Sequence, residues 1–242
     1  MSELQKKLAK KHGVEPESII ITGGSTEALK LSGLAVANQS GEVIAGQPTF
    51  LALADYAKSW GATVKWIPVD SNKGYDLKSI EQNISNKTKM IFLCNPNNPT
   101  GTYLKKNEIL ELRKKLRSNI LLVVDDAYDE YMRKKDYTSG LKLFKKSKNV
   151  IILRTFSKIY GLAALRVGWG YGPKKIINGM NNIKPPFNVN KVAQLSAVAA
   201  LNDKNFINKS VKHNLIWGNK IRKILNQLSM LKFTHNTTIE VV

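Results

Sequence analysis

The segment VIILRTFSKIYGLAALRVGWG, residues 150–170, joins an apolar run to a lysine and then to a glycine-containing turn. The run itself is made of valine, isoleucine and leucine, which favours a strand that is covered on both faces. Lys158 follows it, with Ser157 just before and Arg166 eight residues after. We expect these three side chains near the carboxyl end of a strand, where ligands bind in parallel sheets.

The same pattern of strands and helices extends over most of the chain. Apolar runs predict strands at 19–22, 43–45, 63–68, 90–94, 120–124 and 149–153. Helices are predicted near 3–11, 28–35, 50–60, 76–84, 105–117 and 203–230. Residues 168–172 imitate a dinucleotide-binding turn, but Pro173 stands where its last glycine is required, so we interpret them as a strand. The alternation predicts an α/β fold with a mostly parallel sheet flanked by helices.

The composition is that of an ordinary globular protein, except for its charge. The chain of 242 residues has a formal net charge of +20, which is typical of proteins that bind nucleic acid or anionic membranes. Only six of the 38 basic residues are arginine, however, and the lysines are spread along the whole chain. Surfaces that read bases or clamp phosphates favour arginine. We therefore expect neither nucleic acid nor a membrane as a partner.

The cysteine and the histidines predict neither disulfides nor a metal site. Cys94 is the only cysteine, lies in the apolar run 90–94 and is expected in the core. His12, His213 and His235 lack the spacing of metal ligands. Since the sequence also shows no membrane-spanning run and no signal-peptide core, we expect a cytoplasmic protein.

Lys158 has the neighbours of a lysine that binds an aldehyde beside a phosphate. A neutral lysine amine is a nucleophile that forms Schiff bases with carbonyl compounds. Ser157 supplies a hydroxyl and Arg166 a planar set of N–H donors, and both suit phosphate oxygens. Pyridoxal phosphate (PLP) combines an aldehyde with a phosphate. The segment thus predicts a PLP site in which Lys158 is the catalytic residue.

Five further segments support this prediction. They are Ser25-Thr26 after the first strand, Pro48-Thr49-Phe50, NPNNPTG at 95–101, VVDDAYDEY at 123–131 and PFNVN at 186–190. With the segment around Lys158, they resemble the fold type I PLP-dependent aminotransferases of class I/II, most closely the histidinol-phosphate branch. The resemblance spans residues 19–200. It implies that residues 1–202 form a three-layer α/β/α large domain.

The resemblance also implies a role for each matching side chain. Asp125 would keep the PLP ring nitrogen protonated, while Tyr128 and Asn98 would bind the phenolic oxygen. Phe50 would stack on the ring. The phosphate would be held by Ser25, Thr26, Ser157 and Arg166.

The implied reaction is amino transfer between L-histidinol phosphate and 2-oxoglutarate, in histidine biosynthesis, by a homodimer. Compared with the family, the chain is expected to lack the N-terminal arm and most of the small C-terminal domain. Residues 203–242 would be the connecting helix and the start of that domain. The arginine by which the family grips its substrate has no counterpart after Arg222.

Three alternatives remain at this stage. A threonine-phosphate decarboxylase or an aromatic aminotransferase shares most of these motifs. A truncated homologue could bind PLP without turning over substrate. Lysine-driven RNA binding is the third, and it predicts salt-sensitive binding that does not depend on Lys158.

Overall fold

The computed structural model describes residues 1–37 and 41–227, without the side chains of residues 35–37. In these residues the chain forms one seven-stranded sheet flanked by helices. The strands are β1 Ile19–Thr22, β2 Glu42–Gln47, β3 Thr63–Pro68, β4 Thr88–Cys94, β5 Leu121–Asp125, β6 Val150–Thr155 and β7 Gly168–Tyr171. The helices are α1 Glu3–His12, α2 Gly24–Ala37, α3 Ala52–Ser59, α4 Leu77–Gln82, α5 Lys106–Lys115, α6 Gly140–Phe144, α7 Lys174–Ile183, α8 Lys191–Ala200 and α9 Lys204–Gln227.

The sheet is mostly parallel, as the sequence predicts. Its strand order is β1-β7-β6-β5-β4-β2-β3. Only β7 runs antiparallel to its neighbours, β1 and β6. The other adjacent pairs are parallel. Parallel strands need helical crossovers, and these cover both faces of the sheet.

Two hydrophobic cores lie on the two faces of the sheet. One contains Leu4 and Leu8 of α1, Ile109 of α5 and Ala193 of α8. The other contains residues of α2, α3 and α7, packed on the alternate side chains of the same strands. In β4, for example, Ile91 and Leu93 face the first core, whereas Met90, Phe92 and Cys94 face the second. This arrangement confirms the three-layer α/β/α architecture.

The predicted elements are present, with ends that shift by a few residues. The helix predicted at 203–230 is described as far as Gln227, and its last three positions lie outside the described residues. Helices α6, α7 and α8 were not predicted. The sequence did carry a signal for the start of α8, namely Asn190, because asparagine is a preferred N-cap residue. In the structure its side chain accepts a hydrogen bond from the Ala193 N–H at 2.8 Å. The domain boundary at 202/203 stays a prediction.

One edge of the sheet collects the polar motifs. The strands β1, β4, β5 and β6 all end there. Because β7 is antiparallel, its first residue lies at the same edge, where Gly168 pairs with Thr22 and Thr155. The segments that follow these strand ends are therefore brought together.

Candidate active site

A cavity of about 300 Å³ opens at this edge of the sheet. The nine side chains that the sequence singled out all line it. They come from the start of α2 and from the segments that follow β2, β4, β5 and β6. Its complete lining is Ser25, Thr26, Phe50, Cys94, Asn98, Asp125, Ala127, Tyr128, Thr155, Ser157, Lys158, Ala163 and Arg166.

One end of the cavity offers a cation, hydroxyl groups and a helix N-terminus. Arg166 has a left-handed backbone, with a φ of 52°, and its Nη1 donates to Ser157 Oγ at 3.2 Å. Its guanidinium lies directly over the start of α2, since a Cβ on Gly24 would come within 2.4 Å of Arg166 Nη2. The first N–H groups of a helix lack intrahelical partners and attract anions. This end suits a phosphate.

The turn after β6 places Lys158 beside Tyr128. Thr155 Oγ1 accepts a hydrogen bond from the Ser157 N–H at 3.0 Å, which fixes the start of the turn. Lys158 is half-buried, and its Nζ lies 5.4 Å from the centre of the Tyr128 ring. The Tyr128 hydroxyl accepts a hydrogen bond from Asn98 Nδ2 at 3.4 Å. An amine, a phenol and an amide thus lie next to one another in the lining of the cavity.

The cavity lining also includes a buried carboxyl group. Asp125 is the last residue of β5 and is 2% exposed. Burial raises the pKa of Asp125 to about 7, although the Ala127 N–H and the charges of Lys158 and Arg154 oppose the shift. The Ala127 N–H donates to Asp125 Oδ1 at 3.1 Å. A cation placed next to this carboxyl group would favour its ionised form.

A buried ion cluster ties the segment that bears Tyr128 to the strand that leads to Lys158. Arg154 of β6 is 4% exposed and lies 2.8 Å from Asp129 Oδ2. It also forms a very short ion pair with Glu130. Its guanidinium carbon stands 5.8 Å from the centre of the Trp169 ring in β7. This cluster connects three of the segments that shape the cavity.

The PFNVN segment lies beside the cavity rather than in it. Asn188 Nδ2 donates to Glu27 Oε2 at 2.6 Å and to the Ile21 carbonyl oxygen at 3.1 Å. Asn188 lines a neighbouring cleft together with Thr26 and Arg166, both of which also line the cavity. The segment is therefore held against the first turn of α2.

The sequence did not single out Cys94 and Thr155 as residues that line the cavity. The side chain of Cys94 is 1% exposed, as expected for a core residue, and burial raises the pKa of its thiol well above the ordinary value. The signal that could have found both residues is their place at the end of β4 and of β6, where the predicted site residues also fall.

Two further observations concern metal ligands and membrane-spanning helices. Within residues 1–37 and 41–227, there is no group of three or more His, Cys, Asp or Glu side chains that could hold a metal ion. Across the same ranges, every helix is too short or too polar to cross a membrane.

Comparison with known proteins places the chain among aminotransferases. The model of the family "Aminotransferase class I and II" matches residues 1–234. Histidinol-phosphate aminotransferase of Pelagibacter ubique (strain HTCC1062) is 52% identical over 228 residues, which are 94% of this chain and 63% of that relative. The chain spans less than two thirds of the length of two curated relatives that it matches, 63% of the first and 58% of the second.

Solved structures share the fold. The histidinol-phosphate aminotransferase of Sinorhizobium meliloti, solved with pyridoxal-5'-phosphate, superposes with a TM-score of 0.88 at 23% identity, covering 97% of this chain and 64% of that one. The L-threonine-O-3-phosphate decarboxylase of Porphyromonas gingivalis superposes with a TM-score of 0.79 at 24% identity, covering 93% of this chain and 69% of that one. At such identities the likeness establishes the fold alone. Since the family model matches nearly the whole chain, the chain belongs to the aminotransferase class I and II family.

Proposed function

We propose that this chain is the PLP-binding part of an aminotransferase that moves an amino group between L-histidinol phosphate and 2-oxoglutarate, in histidine biosynthesis. The observation that carries the proposal is a single cavity lined by a lysine, a buried carboxyl group and an arginine together with hydroxyl side chains. The choice of substrate is supported by the 52% identity to the histidinol-phosphate aminotransferase of P. ubique.

The residues present suit PLP. When bound, PLP supplies an aldehyde that a lysine can attack and a ring that withdraws electrons from the substrate's Cα. Lys158 has the one amine that lines the described cavity, and it would bind the aldehyde carbon, whose oxygen would leave as water. Lys158 Nζ would also hold and move the proton that leaves the substrate's Cα, as the acid–base group of the site.

Asp125 would face the ring nitrogen. Its buried carboxyl group accepts a hydrogen bond from the Ala127 N–H, and a protonated ring nitrogen would supply a neighbouring cation. Phe50 would cover one face of the ring. Asn98 and Tyr128 would both reach the phenolic oxygen, which agrees with their mutual contact at 3.4 Å.

The phosphate would lie at the start of α2. Arg166 would supply charge and two parallel N–H donors, and Ser157, Ser25 and Thr26 would supply hydroxyl groups. In the described structure Arg166 Nη1 donates a hydrogen bond to Ser157 Oγ, so these two groups are already close enough to contact the same phosphate.

We also propose that two copies of the chain pair through the surface next to the cavity, in the cytoplasm. This surface exposes large apolar side chains, among them Trp60 at 54% and Ile183 at 47%, and both line the cleft beside the cavity. Phe187, in the segment next to this cleft, is 99% exposed. Light scattering should give the mass of a dimer, and substitution of Trp60 and Phe187 by serine should return the monomer.

The proposed function is tested on the 242-residue chain by supplying PLP and then L-glutamate. We expect bound PLP to give an absorbance band. Addition of glutamate should convert this band and release 2-oxoglutarate. Lys158→Ala should slow this conversion by about 10²- to 10⁴-fold, the usual contribution of a positioned acid–base group. The amino donor is then identified by product analysis with L-histidinol phosphate and, separately, with L-threonine O-3-phosphate.

The outcomes separate the alternatives. Release of carbon dioxide from L-threonine O-3-phosphate would favour a decarboxylase. A cofactor band that forms but never converts would favour an inactive PLP-binding homologue. Salt-sensitive RNA binding that Lys158→Ala leaves unchanged, with no cofactor band, would refute the proposal.

A further inference from the structure

A buried polar cluster lies behind the cavity, outside the groups that line it. We define this cluster as the Tyr75 hub, which consists of Tyr75, Thr49 and Asn97. The exposed fractions of these residues are 7%, 5% and 1%. Tyr75 lies between β3 and α4, in a segment to which neither the sequence motifs nor the proposed function gives a role.

The hub is closely hydrogen-bonded. The Tyr75 hydroxyl accepts a hydrogen bond from the Cys94 N–H at 2.9 Å and donates to Asn97 Oδ1 at 2.8 Å. Thr49 Oγ1 lies 3.0 Å from the same hydroxyl and donates to Asn97 Oδ1 at 2.6 Å. Asn97 Nδ2 donates in turn to the Pro48 carbonyl oxygen at 3.0 Å. Buried polar groups with this many partners fix one arrangement of the chain.

Each member of the hub other than Tyr75 is the neighbour of a residue that lines the cavity. Thr49 precedes Phe50, and Asn97 precedes Asn98. The hub therefore fastens the segment after β2 to the segment after β4, although 48 positions separate Thr49 from Asn97. Without it, these two segments would be joined mainly through the sheet.

The ring of Tyr75 is held from behind by the backbone of β2. A Cβ on Gly46 would lie 2.4 Å from Tyr75 Cε1, so the ring packs directly on this glycine. The other end of the segment is held as well, because Thr102 Oγ1 donates to the Lys73 carbonyl oxygen at 2.9 Å. The hydroxyl of Tyr75 is thus set in place by packing and not by its hydrogen bonds alone.

Burial keeps the Tyr75 hydroxyl in its protonated form, since it raises the pKa of this group above the ordinary value. The hydroxyl has one proton to donate and accepts through its oxygen. Replacement of Tyr75 by phenylalanine would leave the buried Cys94 N–H without this acceptor and Asn97 Oδ1 with one donor fewer. Such losses act on the segments that carry Phe50 and Asn98.

We propose that Tyr75 is a positioning residue that sets Phe50 and Asn98 relative to each other, and thereby shapes the part of the cavity that receives the ring of PLP. This inference rests on the proposed function for the identity of the ligand. The inference adds Tyr75, which belongs to a third segment. In this role Tyr75 touches neither the ligand nor the reacting atoms.

The test compares two hub variants with a matched control. Tyr75→Phe removes the hydroxyl, and Thr49→Val removes the neighbouring hydroxyl while keeping the side-chain shape. Tyr171→Phe is the control, because Tyr171 is also 7% exposed and its hydroxyl donates one hydrogen bond, to the Lys145 carbonyl oxygen at 2.5 Å, away from the cavity. For each protein we would measure the PLP dissociation constant, the pH at which the absorbance of bound PLP titrates, and the urea midpoint without PLP.

Both hub variants should weaken PLP binding by about tenfold, which corresponds to 1.4 kcal/mol. They should also raise the midpoint of the absorbance titration by about half a pH unit, because a displaced Asn98 no longer stabilises the negative charge on the phenolic oxygen. Tyr171→Phe should lower the urea midpoint. It should change the PLP dissociation constant by less than about twofold and leave the midpoint of the absorbance titration near that of the wild type.

Equal PLP affinity and an equal titration midpoint in wild type and both hub variants would overturn the inference and leave the proposed function standing. The same holds if the hub variants lose stability alone, as the control does. If Tyr75→Phe does not fold, Thr49→Val decides between these results. If the wild-type chain itself binds no PLP, the proposed function fails first, and the inference fails with it.

Discussion

At the scale of single residues, the decisive feature of the cavity is the contrast between Asp125 and Arg166. Asp125 is buried, and its pKa is raised to about 7. Arg166 is exposed and donates a hydrogen bond to Ser157 Oγ. A ligand with a basic nitrogen at one end and an anion at the other would be held in one direction only. PLP has this distribution of charge.

The raised pKa of Asp125 predicts a pH-dependent cost of folding without the cofactor. Below about pH 4 the carboxyl group is protonated in both states, whereas between its ordinary value of 3.8 and about 7 it ionises only in the unfolded chain. The free energy of unfolding should therefore fall as the pH rises through this range, by about 4 kcal/mol at most. Asp125→Asn removes this loss. Urea unfolding at pH 5 and pH 8 should show a larger stabilisation by Asp125→Asn at pH 8.

With PLP present, the effect of Asp125→Asn should change sign. The variant loses the carboxylate that would pair with the ring nitrogen, so we expect weaker PLP binding despite a more stable apoprotein. Asp55→Asn, at an exposed position of α3, is the control and should show the same stability difference at both pH values. A stabilisation by Asp125→Asn that does not grow with pH would contradict this account of the buried carboxyl group.

At the scale of secondary-structure elements, the anion-binding end depends on how closely β7 approaches α2. A Cβ on Gly168 would lie 2.5 Å from the Gly24 carbonyl carbon and 2.6 Å from the Ser25 nitrogen. Both contacts are with backbone atoms, which cannot move aside as a flexible side chain can. Glycine at 168 is therefore what allows the start of α2 to reach the cavity.

Gly168→Ala should displace the start of α2 and so weaken binding at the phosphate end. We expect a loss of stability of about 1–3 kcal/mol, as for other overpacked sites, and a loss of PLP affinity beyond that of the control. Gly179→Ala is the control, since a Cβ there meets nothing within 4 Å and the residue lies in α7. It should stabilise the chain by about 0.5–1 kcal/mol. Calorimetry and PLP titration measure both effects, and unchanged PLP affinity in Gly168→Ala would count against the placement of the phosphate.

The ion cluster around Arg154 acts between elements in a similar way. Arg154→Met would leave the carboxylates of Asp129 and Glu130 without their buried partner, and the loss of one member of a buried ion pair costs about 3–5 kcal/mol. Lys114→Met breaks the exposed pair with Glu111 and should cost about 1 kcal/mol or less. Urea denaturation of the two variants tests the difference. Similar losses in both would mean that the cluster does not hold β6 and the segment after β5 together.

At the scale of the whole molecule, much of the fold and of the cavity follows from local sequence. Continuous apolar runs such as 90–94 are long enough for strands buried on both faces, and the structure has β3 at Thr63–Pro68 as predicted. The candidate residues come together because each follows a strand that ends at the same edge. Their proposed roles stay predictions.

Other features depend on contacts between distant segments and had no local signal. The place of β7, antiparallel between β1 and β6, cannot be inferred from the glycine-rich run Gly168–Tyr171. The Tyr75 hub was missed for the same reason, since Tyr75 and Asn97 meet only when β2, β3 and β4 assemble. The cluster around Arg154 likewise joins residues that are 24 positions apart.

Borohydride trapping shows whether Lys158 forms the covalent bond with PLP. The chain is incubated with PLP and reduced, and the adduct is located by peptide mass mapping. We expect one dominant phosphopyridoxyl group, on the peptide that contains Lys158, and its loss in Lys158→Ala. Labelling that is spread over the exposed lysines, with no preference for Lys158, would contradict it.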